Sequence, residues 1–284
     1  MTRRALASVA AGAAVGGAIA IAAKHHQFRA SAAADARAVL GQALEGLGAD
    51  ALQARRAQLP PPIQRHLAYA ITPHAPATRT ARLRHEGTFR TGPEQRWFPI
   101  SGEQYFSIAH PGFVWFAGMQ VAPLLWIQAR DRLVGGRGDM LVKPLSAFAI
   151  ADASGPEIDQ GAALRWLAES VWFPYAFAGD AIEWASIDDH SARASLRHMG
   201  LPVNAVFEVD QEGRIAALHA ERYRDLGGGR SALTPWSGRY TDYREFDGFR
   251  VPSGVEVTWN LPEGPFSYAR FHITALEYNV TEPF

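Results

Sequence analysis

The sequence predicts an α+β fold that is mainly antiparallel β, with one large curved sheet or half-barrel of about eleven strands, a central capping helix and helices at the N-terminus. Three observations predict it. After Ala81 the apolar residues fall in short runs of period two, set off by Gly, Pro, Asn and Asp. One stretch, Gly161 to Pro174, departs from that period and reads as a strongly apolar helix. Strands and helices never alternate as βαβ units, so the strands pair antiparallel.

The N-terminal region comes first. Thr2, Arg3 and Arg4 precede a charge-free run, Ala5 to Ala23, which as a helix spans about 28 Å, the thickness of a bilayer core. Ala and Gly dominate it, so insertion is marginal. Residues 1–30 are read as a single-pass anchor in a bacterial inner membrane with the domain outside the cytoplasm; the alternative is an export signal of a soluble protein. Residues 31–58 form a helical linker, with Leu40, Leu44, Leu47 and Ala51 as its stripe. Pro60 to Pro62 then start a short helix with Ile63, Leu67 and Ile71 on one face. It opens a single domain, residues 59–284, outside which residues 1–58 are expected to lie.

Strands follow in order. Leu83, His85, Gly87 and Phe89 alternate with polar residues, and so do Ile100, Gln104, Phe106 and Ile108. The run Phe113 to Phe116, Leu124 to Arg130, and Met140 to Val142 after a Gly-rich turn add three more. The central helix has Asp159 as its expected N-cap and Pro174 as its stop, with stripes of Leu164, Leu167 and Val171 and of Ala163, Trp166, Ser170 and Phe173. It must bury two sides. Ile182 to Ile187 and Ser191 to His198 then form a hairpin, and a meander through Val203–Val209, Ile215–Arg224, Tyr240–Glu245, Val255–Leu261 and Phe266–Tyr278 completes the sheet, with Asp247 and Gly248 as one turn.

Composition removes several function classes. Basic and acidic residues balance at 28 each, so no nucleic-acid partner is announced. With no cysteine there is no disulfide, thiolate zinc site or cysteine nucleophile. His85-Glu86 is not followed by a second histidine at zincin spacing, and the ten histidines are scattered, so no metal site is signalled. Asp131 and Asp139 flank a Gly-rich turn, where a solvated turn outweighs a cation site. No hydrolase elbow, P-loop or dinucleotide fingerprint occurs, and no cofactor is implied.

Seven stretches taken together, LPPPIQRHL, HEGTFR, HPGFVWFA, GRGDM, LRWLAESVWFPYAF, PWSGRY and GVEVTWNL, resemble a bacterial family known only as a domain of unknown function. The resemblance runs from Leu59 to the C-terminus. It implies domain limits and a frequent N-terminal membrane segment, but no activity. A fold-level likeness, from strand count and the capping helix, links the chain to the half-barrels of periplasmic lipoprotein carriers.

Eight Trp and fifteen Phe in a chain with 20% charged residues exceed what a small core requires. The leading expectation is therefore a membrane-tethered domain outside the cytoplasm that binds or senses an apolar ligand such as a lipid or acyl chain, with Trp115, Phe116, Trp126, Trp166, Trp172, Trp184 and Trp259 as the wall. Glu169, in apolar surroundings, needs a partner: Arg165 four residues before it, or a strand arginine such as Arg193 or Arg222. It is read as an ion pair pinning the helix to the sheet, or else as a ligand-site carboxyl. The rival functions are an envelope hydrolase or transferase using Glu169 as acid or base, and a protein-interaction scaffold without a ligand. Oligomeric state is left open.

Overall fold

The computed structural model describes residues 3–42, 48–196 and 203–284. Helices α1 (Arg3–Gly41), α2 (Ala49–Arg56) and α3 (Pro61–Ala70) come first. Strands β1 (Thr80–Phe89), β2 (Phe98–Ser107), β3 (Gly112–Ala122), β4 (Leu125–Val134), β5 (Arg137–Pro144) and β6 (Ala151–Ser154) form an antiparallel meander. Helix α4 (Pro156–Glu169) and two 3-10 turns, Ser170–Trp172 and Pro174–Ala178, carry the chain to the opposite edge. From there β7 (Ile182–Ser186), β8 (Ser191–Leu196), β9 (Asn204–Val209), β10 (Ile215–Gly227), β11 (Arg230–Phe246), β12 (Phe249–Leu261) and β13 (Gly264–Tyr278) return, and β13 pairs with β1 to close a single 13-stranded sheet.

The expected architecture is present, with more strands than read from sequence. Strand β6, Ala-Asp-Ala-Ser, lies at the sheet edge and pairs only with β5. Its residues have poor β propensity, so pairing alone makes it a strand. Strand β11 begins ten residues before Tyr240, at Arg230. The Asp247-Gly248 turn has positive φ at both residues (46° and 84°), the conformation that a two-residue hairpin demands.

Curvature follows from the helix contacts. Helix α4 touches β3, β4 and β5 on one side and β9 and β10 on the other, strands far apart in the sheet order. A flat sheet with about 4.8 Å between strands cannot present both groups to one helix, so the sheet curls around α4. The helix begins earlier than expected. Pro156 occupies its first turn and Gly155 the N-cap position, while Asp159, expected as the cap, instead accepts the Gly138 backbone N–H at 2.6 Å. Gly138 is required there, because a Cβ would lie 2.6 Å from the Ile158 carbonyl oxygen. The helix ends at Glu169, and Val171 and Trp172 continue in 3-10 geometry before Pro174.

Strand β3 is buried on both faces, which explains its unbroken apolar run. Phe113, Trp115 and Ala117 join the core beneath α4, whereas Val114 and Phe116 face outward against α1. Helix α1 joins the segments read as anchor and linker. Phe28 and Ala32 pack on Phe116, and Ala36, Val39 and Leu40 pack on Tyr105 and Val114. Asp35 pairs with Arg130 at 3.0 Å and with Arg132 at 2.6 Å. The linker stripe is thus partly seated on the sheet through Leu40; Leu44 and Leu47 lie outside the described residues. No helix among the described residues is both long and apolar enough to cross a membrane. A single-pass anchor is therefore not shown among the described residues; α1 is a helix of 39 residues rich in Ala and Gly.

These contacts make a prediction. A chain beginning at residue 24 is expected to keep a urea midpoint close to that of the full chain, because Gly16 and Gly17 have nothing within 4 Å and Ile19 is 65% exposed. One beginning at residue 43 loses Asp35 and the buried residues from Phe28 to Leu40, and its midpoint should fall clearly. Equal midpoints for the two truncations would show that α1 contributes nothing to the fold.

Candidate functional site: a polar cluster above an apolar trough

Arg165 and Glu169 sit four residues apart on α4 and point to the same side. Arg165 Nε donates to Glu169 Oε1 at 2.8 Å, Nη1 donates to Asp131 Oδ2 on β4 at 2.8 Å, and Nη2 donates to Gln104 Oε1 on β2 at 3.2 Å. Gln104 Nε2 closes the ring by donating to Glu169 Oε2. The guanidinium carbon lies 4.8 Å from the Trp115 ring centroid and 5.1 Å from that of Phe113, which adds cation–π attraction. Glu169 is therefore paired with its own helix neighbour. Arg193 and Arg222, the strand alternatives, do not take this role, and Arg222 donates to the Tyr268 hydroxyl at 3.4 Å and lies over Trp236.

Two carboxylates and one guanidinium leave an excess negative charge in a buried place, which is costly. Burial pushes the Glu169 carboxyl up, against the opposing pull of Arg165 and Gln104. Burial also works against charge on Arg165, but Glu169 and Asp131 outweigh it and keep the guanidinium charged. Glu169 is thus the member that most readily takes a proton. The pinning role read from sequence is held mainly by Asp131, so Glu169→Gln no longer strands an arginine. Its effect in a urea melt should be within about 1 kcal/mol, the scale of a net hydrogen bond. A loss several times larger would mean that Glu169 must be ionised. Among the described residues both Glu169 oxygens are engaged by Arg165 and Gln104, and the neighbouring carboxylate, Asp131, is itself bound by Arg165.

Below the cluster, Trp115 Nε1 donates to His85 Nε2 at 2.8 Å, so the His85 proton resides on Nδ1. Burial, reinforced by the Arg165 charge, holds the pKa of His85 down to about 3. His66 on α3 bonds the Gly213 carbonyl through Nδ1 at 2.8 Å, and burial lowers its pKa to about 4. Both histidines fold neutral, whereas the unfolded chain binds protons near pH 6.5. Their contribution is complete above pH 6.5 and is lost as pH falls toward 4 and 3. Between pH 7 and pH 5 each should remove about 2 kcal/mol from the unfolding free energy. A urea midpoint unchanged over that interval would contradict the buried neutral state.

The aromatic residues expected to form one wall do not. Trp166 donates to the Ser107 carbonyl at 3.0 Å and Trp172 to the Pro252 carbonyl at 3.0 Å, both inside the core with Phe106 and Phe173. Trp184 packs with Phe177 and Phe207 near the other sheet edge. Phe116 and Trp126 lie on the outer face, against Phe28 and His25 of α1. Period two makes this unavoidable, since Trp115 and Phe116 are consecutive in a strand. Of the expected residues, only Trp115, Glu169 and Trp259 lie around the cluster and the inner-face positions beyond it, while Trp166, Trp172 and Trp184 are taken up by core packing on the same concave side.

A second feature appears when the inner-face positions are followed along each strand. Next to α4 they are sealed: Leu83 and His85 on β1, Val251 and Ser253 on β12, Ile273 on β13, and Asp131 and Leu133 on β4 are buried. Farther along the same strands Phe89, Met119, Ala129, Val255, Val257 and Trp259 are only partly buried. Tyr268 stacks on Trp259 with centroids 6.0 Å apart, and Phe271 lies 4.5 Å from the His85 ring. The result is an open apolar trough, roofed at one end by the Arg165 cluster, with small residues such as Gly102 and Ala117 in its floor. Better-enclosed depressions of about 480, 620 and 290 Å³ lie elsewhere, two mostly on outward-facing strand positions and one beside the N-terminus of α4. Charged side chains edge each of them, among them Arg239, Glu256 and Arg270 in the first, Arg137 and Asp159 in the second and Arg193 and Glu221 in the third, whereas the trough positions are apolar. Asp131 and Asp139 are no cation site, because Asp131 binds Arg165 while Asp139 binds Arg130 and Arg132 on the outer face.

A profile described as "Family of unknown function (DUF6544)" matches residues 51–271. The chain belongs to this family. All of the trough strands lie largely within the DUF6544 match, whereas α1 precedes it. No curated protein sequence matches the chain. Solved structures similar to this DUF6544 chain include a LolA superfamily protein from Nitrosomonas europaea, at 10% identity, 76% coverage of this chain and 93% of that one, with a TM-score of 0.41. A domain from Vibrio parahaemolyticus, described as an outer membrane lipoprotein-sorting protein, is 12% identical over 81% and 91% of the two chains at TM-score 0.38. A DUF1329 family protein from Desulfovibrio piger is 10% identical over 81% and 93% at TM-score 0.45.

Sequence reasoning missed Gln104 as a partner of Glu169, and missed most of the trough, including Met119, Val257, Tyr268 and Phe271. Alternation does mark the inner face. It does not reveal which end of each strand the helix covers.

Proposed function

We propose that this DUF6544 domain binds an apolar ligand, such as the acyl chain of a lipid, along the open trough. The observation that carries this reading is that the inner face changes from sealed to partly exposed along strands from both halves of the sheet while remaining apolar. An apolar surface shared by many strands and left uncovered is costly in water and marks a binding surface. The polar roof at one end then gives the ligand an orientation, with its head near the roof or at the open rim. Membrane attachment and a location outside the cytoplasm belong to the same proposal, supported by the charge-free run after Arg3 and Arg4.

Native mass spectrometry of the protein purified without detergent, followed by lipid extraction, tests the reading. Retained lipid is expected, together with binding of a fluorescent fatty acid that Val257→Asp weakens at least about tenfold by placing a charge in the trough. Absence of lipid, with no fatty-acid binding at tens of micromolar, removes the proposal.

A further inference from the structure

We propose that the rim around the mouth of the trough is a membrane-docking surface whose partner is a lipid bilayer. This rests on the acyl-chain reading and deepens it by naming where the chain enters and leaves. Strand register puts the β3–β4 turn, the β5–β6 loop, the β10–β11 turn and the β12–β13 turn at the same end as the trough opening, since Ile127 pairs with Pro144, Ile100 with Met119, and Trp236 with Trp259. Of eight large apolar side chains exposed among the described residues, six lie there: Leu124, Leu125, Phe148, Ile150, Leu226 and Leu233. A seventh, Ile19, is on α1, and Ile187 alone is at the opposite end.

Leu124 sharpens the point. It has φ 61° and is 88% exposed. A leucine pays for the left-handed conformation that glycine adopts freely, and here its side chain gains no packing in return. Such a residue is explained by something outside the chain.

Helix α1 decides which partner. It runs along the outer face toward this same rim: Leu40 lies by Tyr105 and Val114, Phe28 by Phe116 and Leu141, and His25 Nδ1 is 3.1 Å from Gln128 Oε1 with its ring against Trp126. Residues before His25 continue past the sheet, and Gly16 to Ala20 are exposed. Ala5 to Ala23 carry no charged residue. A helix of this kind, polar on no side, calls for an apolar medium and not for one complementary protein face. Its Ala/Gly composition makes that contact weak, and stable attachment to a bilayer takes a second contact. The ring of leucine, isoleucine and phenylalanine beside the helix exit supplies it, dispersed over separate turn tips as a fluid lipid interface accepts and a rigid protein patch does not.

The test is flotation of the full chain with vesicles of equal parts phosphatidylethanolamine and phosphatidylglycerol, comparing wild type, the double variant Leu124→Asp/Phe148→Asp, and Ile187→Asp. All three sites are exposed, and thermal melts confirm folding; Ile150→Asp with Leu226→Asp serves as a second rim pair. Wild type and Ile187→Asp should float, and each rim pair should lose about tenfold in partitioning. Wild type that stays with the soluble fraction, or rim variants that float as wild type does, would overturn the proposal. Fatty-acid binding in solution is measured on the same proteins and separates the two readings. Lost flotation with retained fatty-acid binding supports both, whereas rim-dependent flotation without fatty-acid binding leaves docking standing and removes the ligand. Loss of flotation in Ile187→Asp to the same extent would also overturn it.

Discussion

Arg165→Met is expected to destabilise the protein by about 3–5 kcal/mol, the range for removing one partner of a buried ion pair. The substitution keeps much of the stem volume and removes the guanidinium. Asp131, with a side chain 4% exposed, and Glu169, at 13%, are then left facing one another without a cation. The Glu169 carboxyl, already pushed up by burial, loses the opposing pull of Arg165 and should have a folded-state pKa above its unfolded one. A carboxyl raised in this way keeps its contribution below the unfolded pKa and loses it as pH rises through the folded one, so the defect should be largest at neutral pH and shrink toward pH 5. Urea melts of Arg165→Met at the two pH values check the sign. Adding Asp131→Asn should recover part of the loss at pH 7. A variant as stable as wild type at pH 7 would mean that the cluster is solvated and contributes little.

Leu167→Ala is expected to cost about 2–5 kcal/mol, from lost transfer free energy plus the cavity left behind. Leu167 is fully buried in the core cluster that α4 shares with both halves of the sheet. Few neighbours can move to fill the gap, because β1 and β13 join those halves into one continuous sheet. Loss of that size is a large share of the 5 to 15 kcal/mol typical of a domain, about 0.05–0.15 kcal/mol per residue. A melting curve for Leu167→Ala that overlays the wild type would show α4 to be peripheral.

The parts of this fold that follow from local physics were legible in the sequence. Period two located the strands, paired turn residues such as Asp247 and Gly248 located hairpins, and the double apolar stripe of α4 announced a helix buried on two sides. Other parts depend on what a residue meets far along the chain. The docked half of α1 went unread because Ala32 and Ala36 carry almost no hydropathy signal, yet their small side chains let the helix approach β3 closely. Glu169 was recognised as needing a partner, but Gln104 and Asp131 come from β2 and β4 and join it only when the sheet curls. The aromatic wall failed for a similar reason. Trp content marks burial and says nothing of which side of a strand, or which end, faces the open trough.

The central claim, that an acyl chain lies in the trough, is tested most directly by photo-crosslinking a diazirine-bearing fatty acid to the full chain and mapping the modified peptides. Adducts are predicted on inner-face residues beyond the roof, Met119, Val257, Trp259 and Tyr268, and are predicted to be competed away by unlabelled fatty acid. Adducts confined to the outer face, around Phe116 and Trp126, or none that compete, would contradict the account.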